Sequence, residues 1–337
     1  MAVTWRLAEC DTIFTEPVTL SISLEQDRPG RFQVFWWKEQ RMESDRPIQT
    51  SRWVGYFPLA ALPLTVLVFA ERLPAWAFMW SLAVSIFLGL KWLSWWKARA
   101  STPHDTWRSA AYLLAWPGMD AESFLDANRI VSLPRIQDWV WATVETGLGA
   151  VFFWVVPRNV PHAPPLLQGW IGMLGLVLLL HFGSFRLVAL FWQRLGVDAV
   201  PIMTSPLRAR SLGEFWGRRW NLGFSRLSHD FFVSPFSRRL GPRLAGFLVF
   251  AISGLIHDLV ISVPARGGYG LPTAYFLIQG AGVSLERSSI GRKMGLRNGV
   301  CGRLFMATVV LCPAFWLFHP PFVLRVIIPF MKAMRAL

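Results

Sequence analysis

Four ionisable residues lie inside long apolar runs of this sequence: Glu145, His181, His257 and Asp258. Charge is costly in hydrocarbon, so each asks for a reason. His257 lies in Ser253-Gly254-Leu255-Ile256-His257-Asp258, near the middle of an apolar stretch at 244–263. Apolar surroundings favour the uncharged imidazole, which is the basic form, and such a ring can take the proton of a substrate hydroxyl. Ser253 and Gly254, one turn earlier, leave room for something to approach it. A structural histidine bonded to a neighbouring helix fits the same residues. Asp258 follows directly, so on a helix it points about 100° away and cannot orient the ring; an arginine partner or a polar cavity is expected for it. His181, before Phe182-Gly183 near a helix end, reads as structural, because polar groups snorkel there at little cost. Glu145 has no evident partner.

A second group is Glu214-Phe215-Trp216-Gly217-Arg218-Arg219-Trp220-Asn221. The plainer reading of Phe-Trp beside arginines is an interfacial anchor with a basic flank. Trp216 and Trp220 are four apart, however, and share one face of a helix. Asn221 adds a carboxamide that both donates and accepts. At the membrane boundary it could fix the His257 imidazole or bind a developing oxyanion.

Such residues need apolar helices to hold them, and the composition supplies these. The 337 residues are 53% hydrophobic and only 16% charged, with a mean hydropathy of +0.39, 19 Trp and 26 Phe. Soluble domains carry roughly 25% charged residues, and aromatic side chains of this abundance suit bilayer interfaces. Disorder, collagen, a disulfide scaffold and a coiled coil are excluded. The net charge of +14 is read as the cytoplasmic excess of Lys and Arg in a membrane protein, not as a nucleic-acid surface. Cys10, Cys301 and Cys312 match no metal or redox spacing. Glu9, Asp11 and Glu16 interrupt the first twenty residues, so no cleavable signal peptide is expected.

The fold class expected is therefore all-α: a polytopic helical membrane protein of about eight transmembrane helices. Apolar stretches fall at about 54–70, 76–96, 138–157, 167–185, 244–263, 271–287, 303–318 and 321–336. Arg158 and Arg266 are alone in their loops, whereas 97–137, 186–243 and 288–303 are arginine-rich. This alternation suits an even number of helices with both termini cytoplasmic. Residues 1–52 form a polar N-terminal segment, in which Val18–Leu24 alternates like a strand and Pro29-Gly30 reads as a turn. Residues 53–337 form the membrane-embedded domain. The long loop 186–243 mixes arginines with Phe215-Trp216 and Phe231-Phe232, so it is expected to pack on the cytoplasmic face as an amphipathic part of the site.

The string Phe-Trp-x-x-x-Trp-Asn, followed by a His in an apolar Ser-Gly-x-x-His-Asp helix, resembles the membrane-bound O-acyltransferase superfamily, and more narrowly its wax-synthase-like branch. Tyr112 to Asp120, Leu180-His181-Phe182-Gly183, Phe276 to Gly280 and Phe318-His319-Pro320-Pro321-Phe322 support the likeness, which covers about 110–330. The resemblance carries over two catalytic positions, His257 and Asn221. Where sterol and diacylglycerol acyltransferases have a further histidine four residues after the Asn, this chain has Ser225; His229 is out of register.

The resemblance implies transfer of a fatty acyl group from acyl-CoA to the hydroxyl of a lipophilic alcohol, giving a wax ester or related neutral lipid. His257 would be the general base and Asn221 would orient it or the thioester. Trp216, Arg218, Arg219 and Trp220 are the candidate acyl-CoA contacts, with Arg208, Arg210 and Arg226 on the same side; plain positive-inside bias explains those arginines equally well. No metal and no cofactor beyond acyl-CoA as co-substrate are expected; the expected partners are the bilayer, acyl-CoA and the alcohol. No serine or cysteine stands beside the His as a nucleophile, so a ternary complex without an acyl-enzyme is expected. The alternative is a transporter or proton-coupled channel using His257 and Asp258 as a relay. The absence of a detectable internal repeat speaks against it.

Overall fold

A computed structural model describes residues 20–26, 32–38 and 52–337. The chain divides into two units, Met1–Thr50 and Ser51–Leu337. In the first, β1 (Leu20–Gln26) and β2 (Phe32–Lys38) pair antiparallel, from Leu20 opposite Lys38 to Gln26 opposite Phe32. Of the alternating stretch expected at Val18–Leu24, Leu20–Leu24 lies in β1, while Val18, Thr19 and the turn expected at Pro29-Gly30 lie outside the described residues.

Among its described residues the second unit is built of helices and the loops between them, with no strand. Its elements are α1 (Arg52–Val68), α2 (Ala75–Ala98), α3 (Thr106–Ala115), α4 (Ala121–Leu125), α5 (Ile136–Asn159), α6 (Pro165–Arg194), α7 (Leu222–Ser228), α8 (Phe236–Ala265), α9 (Leu271–Arg287), α10 (Ser289–Lys293), α11 (Gly299–Leu317) and α12 (residues 320–333). Among the described residues, α2, α5, α6, α8 and α11 are long and apolar enough to cross a membrane. The eight apolar stretches all become helices, but α1 and α9 have 17 residues each, short of the roughly 20 that span a hydrocarbon core. Pro58 and Pro63 fall inside α1, and Pro320-Pro321 open α12, where proline suits the first helical positions. Five long spans, not eight, are therefore established by length and composition.

Two backbone features shape these helices. In α8, Gly241 takes φ 79° and ψ 157° just before Pro242. That left-handed φ is open to glycine at little cost, and the ring of Pro242 cannot continue the hydrogen-bond ladder behind it. The second is widening: six π segments occur among the described residues, including Leu178–Ser184 in α6, Phe215–Arg219 before α7, and Asp258–Ser262 in α8. Such segments interrupt the regular ladder and often mark functional sites.

Three buried clusters hold the unit. Met79, Phe153, Met173, Ile261, Val326 and Met331 join α2, α5, α6, α8 and α12. Tyr112, Trp116, Phe124 and Trp192 bind α3 and α4 to α6. Leu212, Phe215, Val283 and Met306 seat the loop before α7 against α9 and α11. The long loop 186–243 is thus packed, as its mixture of arginines and aromatics predicts.

Candidate active site

His257 stands in α8 at the boundary with the π segment Asp258–Ser262, eight residues before the end of the helix at Ala265. Its Nδ1 donates to the Ser253 carbonyl at 2.7 Å. A backbone carbonyl only accepts, so this bond assigns the proton to Nδ1 and leaves a lone pair on Nε2. Among the described residues Nε2 has no hydrogen-bond partner. The imidazole lies 4.3 Å from the Phe276 ring of α9, centroid to centroid. The room expected beside Ser253 and Gly254 is taken by that helix: a Cβ on Gly254 would lie 2.8 Å from Thr273 Cα. The small residue therefore serves a close helix crossing.

The aromatic motif meets the same ring. Trp216 lies 5.8 Å from Phe276 and 5.9 Å from Phe250, so one phenyl ring separates it from His257. Its indole Nε1 donates to Gln279 Oε1 at 3.2 Å, and Gln279 Nε2 donates to the Val309 carbonyl at 2.7 Å. Gln279 is fully buried and ties the motif, α9 and α11 together. The expected meeting of Trp216 and Trp220 is present at 6.5 Å. It is made through the π segment Phe215–Arg219 and an extended Trp220, not through a regular helical face.

Asn221 follows with φ 45° and ψ 61°, a left-handed conformation that asparagine adopts more readily than most residues. Its Oδ1 accepts from the Phe224 N–H at 3.3 Å and caps α7. Its Nδ2 has no partner among the described residues. Asn221 makes no hydrogen bond to His257, and the ring is oriented by Ser253 instead. The carboxamide N–H groups are thereby left for another acceptor.

His181 belongs to this neighbourhood as well. Its ring lies parallel to Trp220 (6.5 Å, 14°) and edge-on to Phe185 (5.6 Å), and its Nδ1 is buried without a protein partner. Its position near a helix end in the sequence suggested a purely structural residue; only the fold sets it against the tryptophan that precedes Asn221.

Asp258, expected to pair with an arginine or fill a polar cavity, instead starts α9. It accepts from the Gly270 N–H at 2.9 Å, from the Thr273 N–H at 3.2 Å and from the Thr273 hydroxyl. Glu145 does have a partner, Arg186 at 3.3 Å, which also reaches Asp138 at 3.4 Å.

The basic residues form a cleft beside the motif. One cavity of about 630 Å³ is lined by Arg208, Arg210, Arg218, Arg219 and Arg303. An adjoining one of about 560 Å³ adds Arg287, Arg292 and Arg297, with Glu214, Arg218 and Asn298 common to both. The acids at this surface are already engaged. Glu214 accepts from the Arg210 N–H at 2.8 Å and from Arg219 Nε at 2.7 Å, and Glu286 accepts from the Gly213 N–H at 3.0 Å. The Arg210 N–H first, and then Arg219, hold the Glu214 carboxyl below its ordinary pKa, against the opposing effect of burial. Arg219 also donates to the carbonyls of Thr204 and Ser205, so it builds the loop, whereas Arg218 makes no hydrogen bond or ion pair among the described residues. Arg226 stands apart from the cleft, paired with Asp120. Among the described residues no three His, Cys, Asp or Glu side chains are grouped to hold a metal ion.

A family model matches this region. Residues 199–278, which bracket both Asn221 and His257, match the model of the membrane bound O-acyl transferase family. A long-chain-alcohol O-fatty-acyltransferase of Simmondsia chinensis is 32% identical over 142 residues, 38% of this chain and 40% of that protein. A probable long-chain-alcohol O-fatty-acyltransferase 2 of Arabidopsis thaliana is 34% identical over 144 residues, 39% of this chain and 41% of its own. An acyl-CoA–sterol O-acyltransferase 1 of Arabidopsis thaliana is 30% identical over 137 residues, 37% and 39% respectively. The chain thus spans well under half the length of the curated relatives it matches. Five described helices are long and apolar enough to cross a membrane, and in its central stretch the chain is similar to the membrane bound O-acyl transferase family and to long-chain-alcohol O-fatty-acyltransferases.

Proposed function

We propose that this protein transfers a fatty acyl group from acyl-CoA to the hydroxyl of a lipophilic alcohol, giving a wax ester or a related neutral lipid. The observation that carries the reading is the His257 imidazole, anchored through Nδ1 to Ser253 and open at Nε2, one aromatic ring away from the motif that ends in Asn221. Nε2 accepts the hydroxyl proton as the alcohol oxygen attacks the thioester carbon. The carbonyl oxygen becomes an oxyanion, and the free N–H groups of Asn221 donate to it. Collapse breaks the carbon–sulfur bond, and the imidazolium returns its proton to the departing thiolate. Because a thiol has a pKa of about 8.5, that last transfer is easy. His257 and Asn221 are the catalytic residues of this scheme, with no metal and no acyl-enzyme.

The arginine cleft suits the phosphates of the coenzyme A head, with Arg218 its unengaged member at the motif and Trp216 and Trp220 beside the thioester. The apolar chains of both substrates enter from the bilayer, and both termini lie in the cytoplasm. The activities for which the relatives are named support an ester-forming role. Proton relay through His257 and Asp258 finds less support, since Asp258 is occupied in capping α9.

The test is expression in a host lacking neutral-lipid synthesis, with labelled acyl-CoA and a panel of fatty alcohols, diacylglycerols and sterols. Ester should form with the wild type and vanish in His257→Ala at equal protein in the membrane. Solute or ion flux in liposomes without ester product would overturn the reading.

A further inference from the structure

Lys91 in α2 is 1% exposed and has no carboxylate beside it among the described residues. Its ammonium donates to the Gly118 carbonyl and lies 3.4 Å from the centroid of the Tyr112 ring, whose hydroxyl bonds Ser94 at 2.7 Å. A buried ammonium without an anion is costly, and the one hydrogen bond this one makes is to the loop 116–120. The other side of that loop grips α7. A Cβ on Gly223 would lie 2.9 Å from the Met119 nitrogen. Asp120 accepts from the Ser123 N–H and pairs with Arg226, which also reaches the Ser123 hydroxyl. Gly223 is two residues beyond Asn221, and Arg226 is little more than one turn beyond it. That same N-terminal end of α7 is also tied to the segments before it, through the Leu222 N–H to the Ile202 carbonyl, the Asn221 N–H to Met203 sulfur and the Ser225 hydroxyl to the Gly217 carbonyl.

We propose that Lys91 and Asp120 are positioning residues: through the loop 116–120 they hold α7, and with it the Asn221 carboxamide, at the depth and angle where it meets the acyl carbonyl. The inference rests on the reading of Asn221 as oxyanion donor. Neither residue touches substrate. Displacement of a reacting or donor group by about an ångström can cost about a hundredfold in rate, so a loosened clamp acts on turnover more than on binding.

A double-mutant cycle tests it, with labelled acyl-CoA and membranes of equal protein content. Lys91→Met and Asp120→Asn are each made in the wild type and in Asn221→Asp. Each should lower kcat by about tenfold or more in the wild type, leave the KM for acyl-CoA nearly unchanged, and cause no further loss once Asn221 is replaced. Exchange of the pair, Asp120→Arg with Arg226→Asp, should restore most of the turnover lost in Asp120→Asn. Equal losses in both backgrounds, or no loss in either, would overturn the proposal. Should Lys91→Met fail to accumulate, Asp120→Asn decides alone, because it leaves α2 untouched. Wild-type turnover in Asn221→Asp by itself would instead remove the oxyanion role on which the clamp depends.

Discussion

In the proposed reaction Asn221 does two jobs with two ends of one carboxamide, and aspartate separates them. The oxygen end caps α7 by accepting from the Phe224 N–H at 3.3 Å, while the nitrogen end has no partner among the described residues. Asn221→Asp keeps the accepting oxygen, and aspartate also tolerates the φ of 45° found here. It removes both N–H donors. Loss of one oxyanion donor costs about 2.7–4 kcal/mol, or about 10²–10³ in kcat, and the added negative charge can only increase that. Asn221→Ala loses the donors too, but also the cap, worth about 1 kcal/mol, and it forces a left-handed residue with a Cβ at about 1–2 kcal/mol. The two variants should therefore share a low kcat and differ in stability, with the thermal midpoint in detergent lower for Ala than for Asp. Ester formation from labelled acyl-CoA and a saturating fatty alcohol, read beside a thermal melt, measures both quantities. An Asp variant with wild-type turnover, or a turnover that tracks the melting order, would show that Asn221 is a cap and nothing more.

Gln279→Leu should leave Trp216 Nε1 and the Val309 carbonyl unpaired in a buried place, costing about 1–3 kcal/mol for each group; a thermal melt should fall accordingly, and turnover with it. Arg218→Gln should raise the KM for acyl-CoA at unchanged protein level, and added salt should weaken the wild type toward it. Arg219→Gln should instead lower stability, since it breaks contacts to Glu214, Thr204 and Ser205. Glu214 gives a pH signature. Its carboxyl is held below its ordinary value, so the stability it adds is present above that value and drains away as pH falls through the depressed one. The melting midpoint of the wild type should accordingly drop more on acidification than that of Glu214→Gln.

Much of this was legible in the residues. Apolar length marked the eight apolar helices, and the spacing of Trp216, Trp220, Asn221 and His257 singled out the residues of the candidate site. What escaped depends on contacts between residues far apart in the chain. Arg186 finds Glu145 across 41 positions, Asp258 caps a helix 12 residues on, and Gln279 meets Trp216 across 63. His181 gives no local sign that it will lie beside Trp220. Spacing also predicted a shared helical face for the two tryptophans, and the widened turn that brings them together has no residue-type signature.

That widened turn has a counterpart in α8. A regular helix advances 3.6 residues per turn, so one extra residue in a turn rotates everything beyond it by about 100° around the axis. His257 is the last residue before such an offset, and Asp258 the first within it. One continuous rod thus addresses two directions, presenting the imidazole toward Phe276 and, past the offset, handing Ser262 to the buried His319 at 3.2 Å. A single-residue deletion within 258–262 would bring both halves back into phase. The far end of α8 would then turn away from its neighbours even though every side chain named above was still encoded.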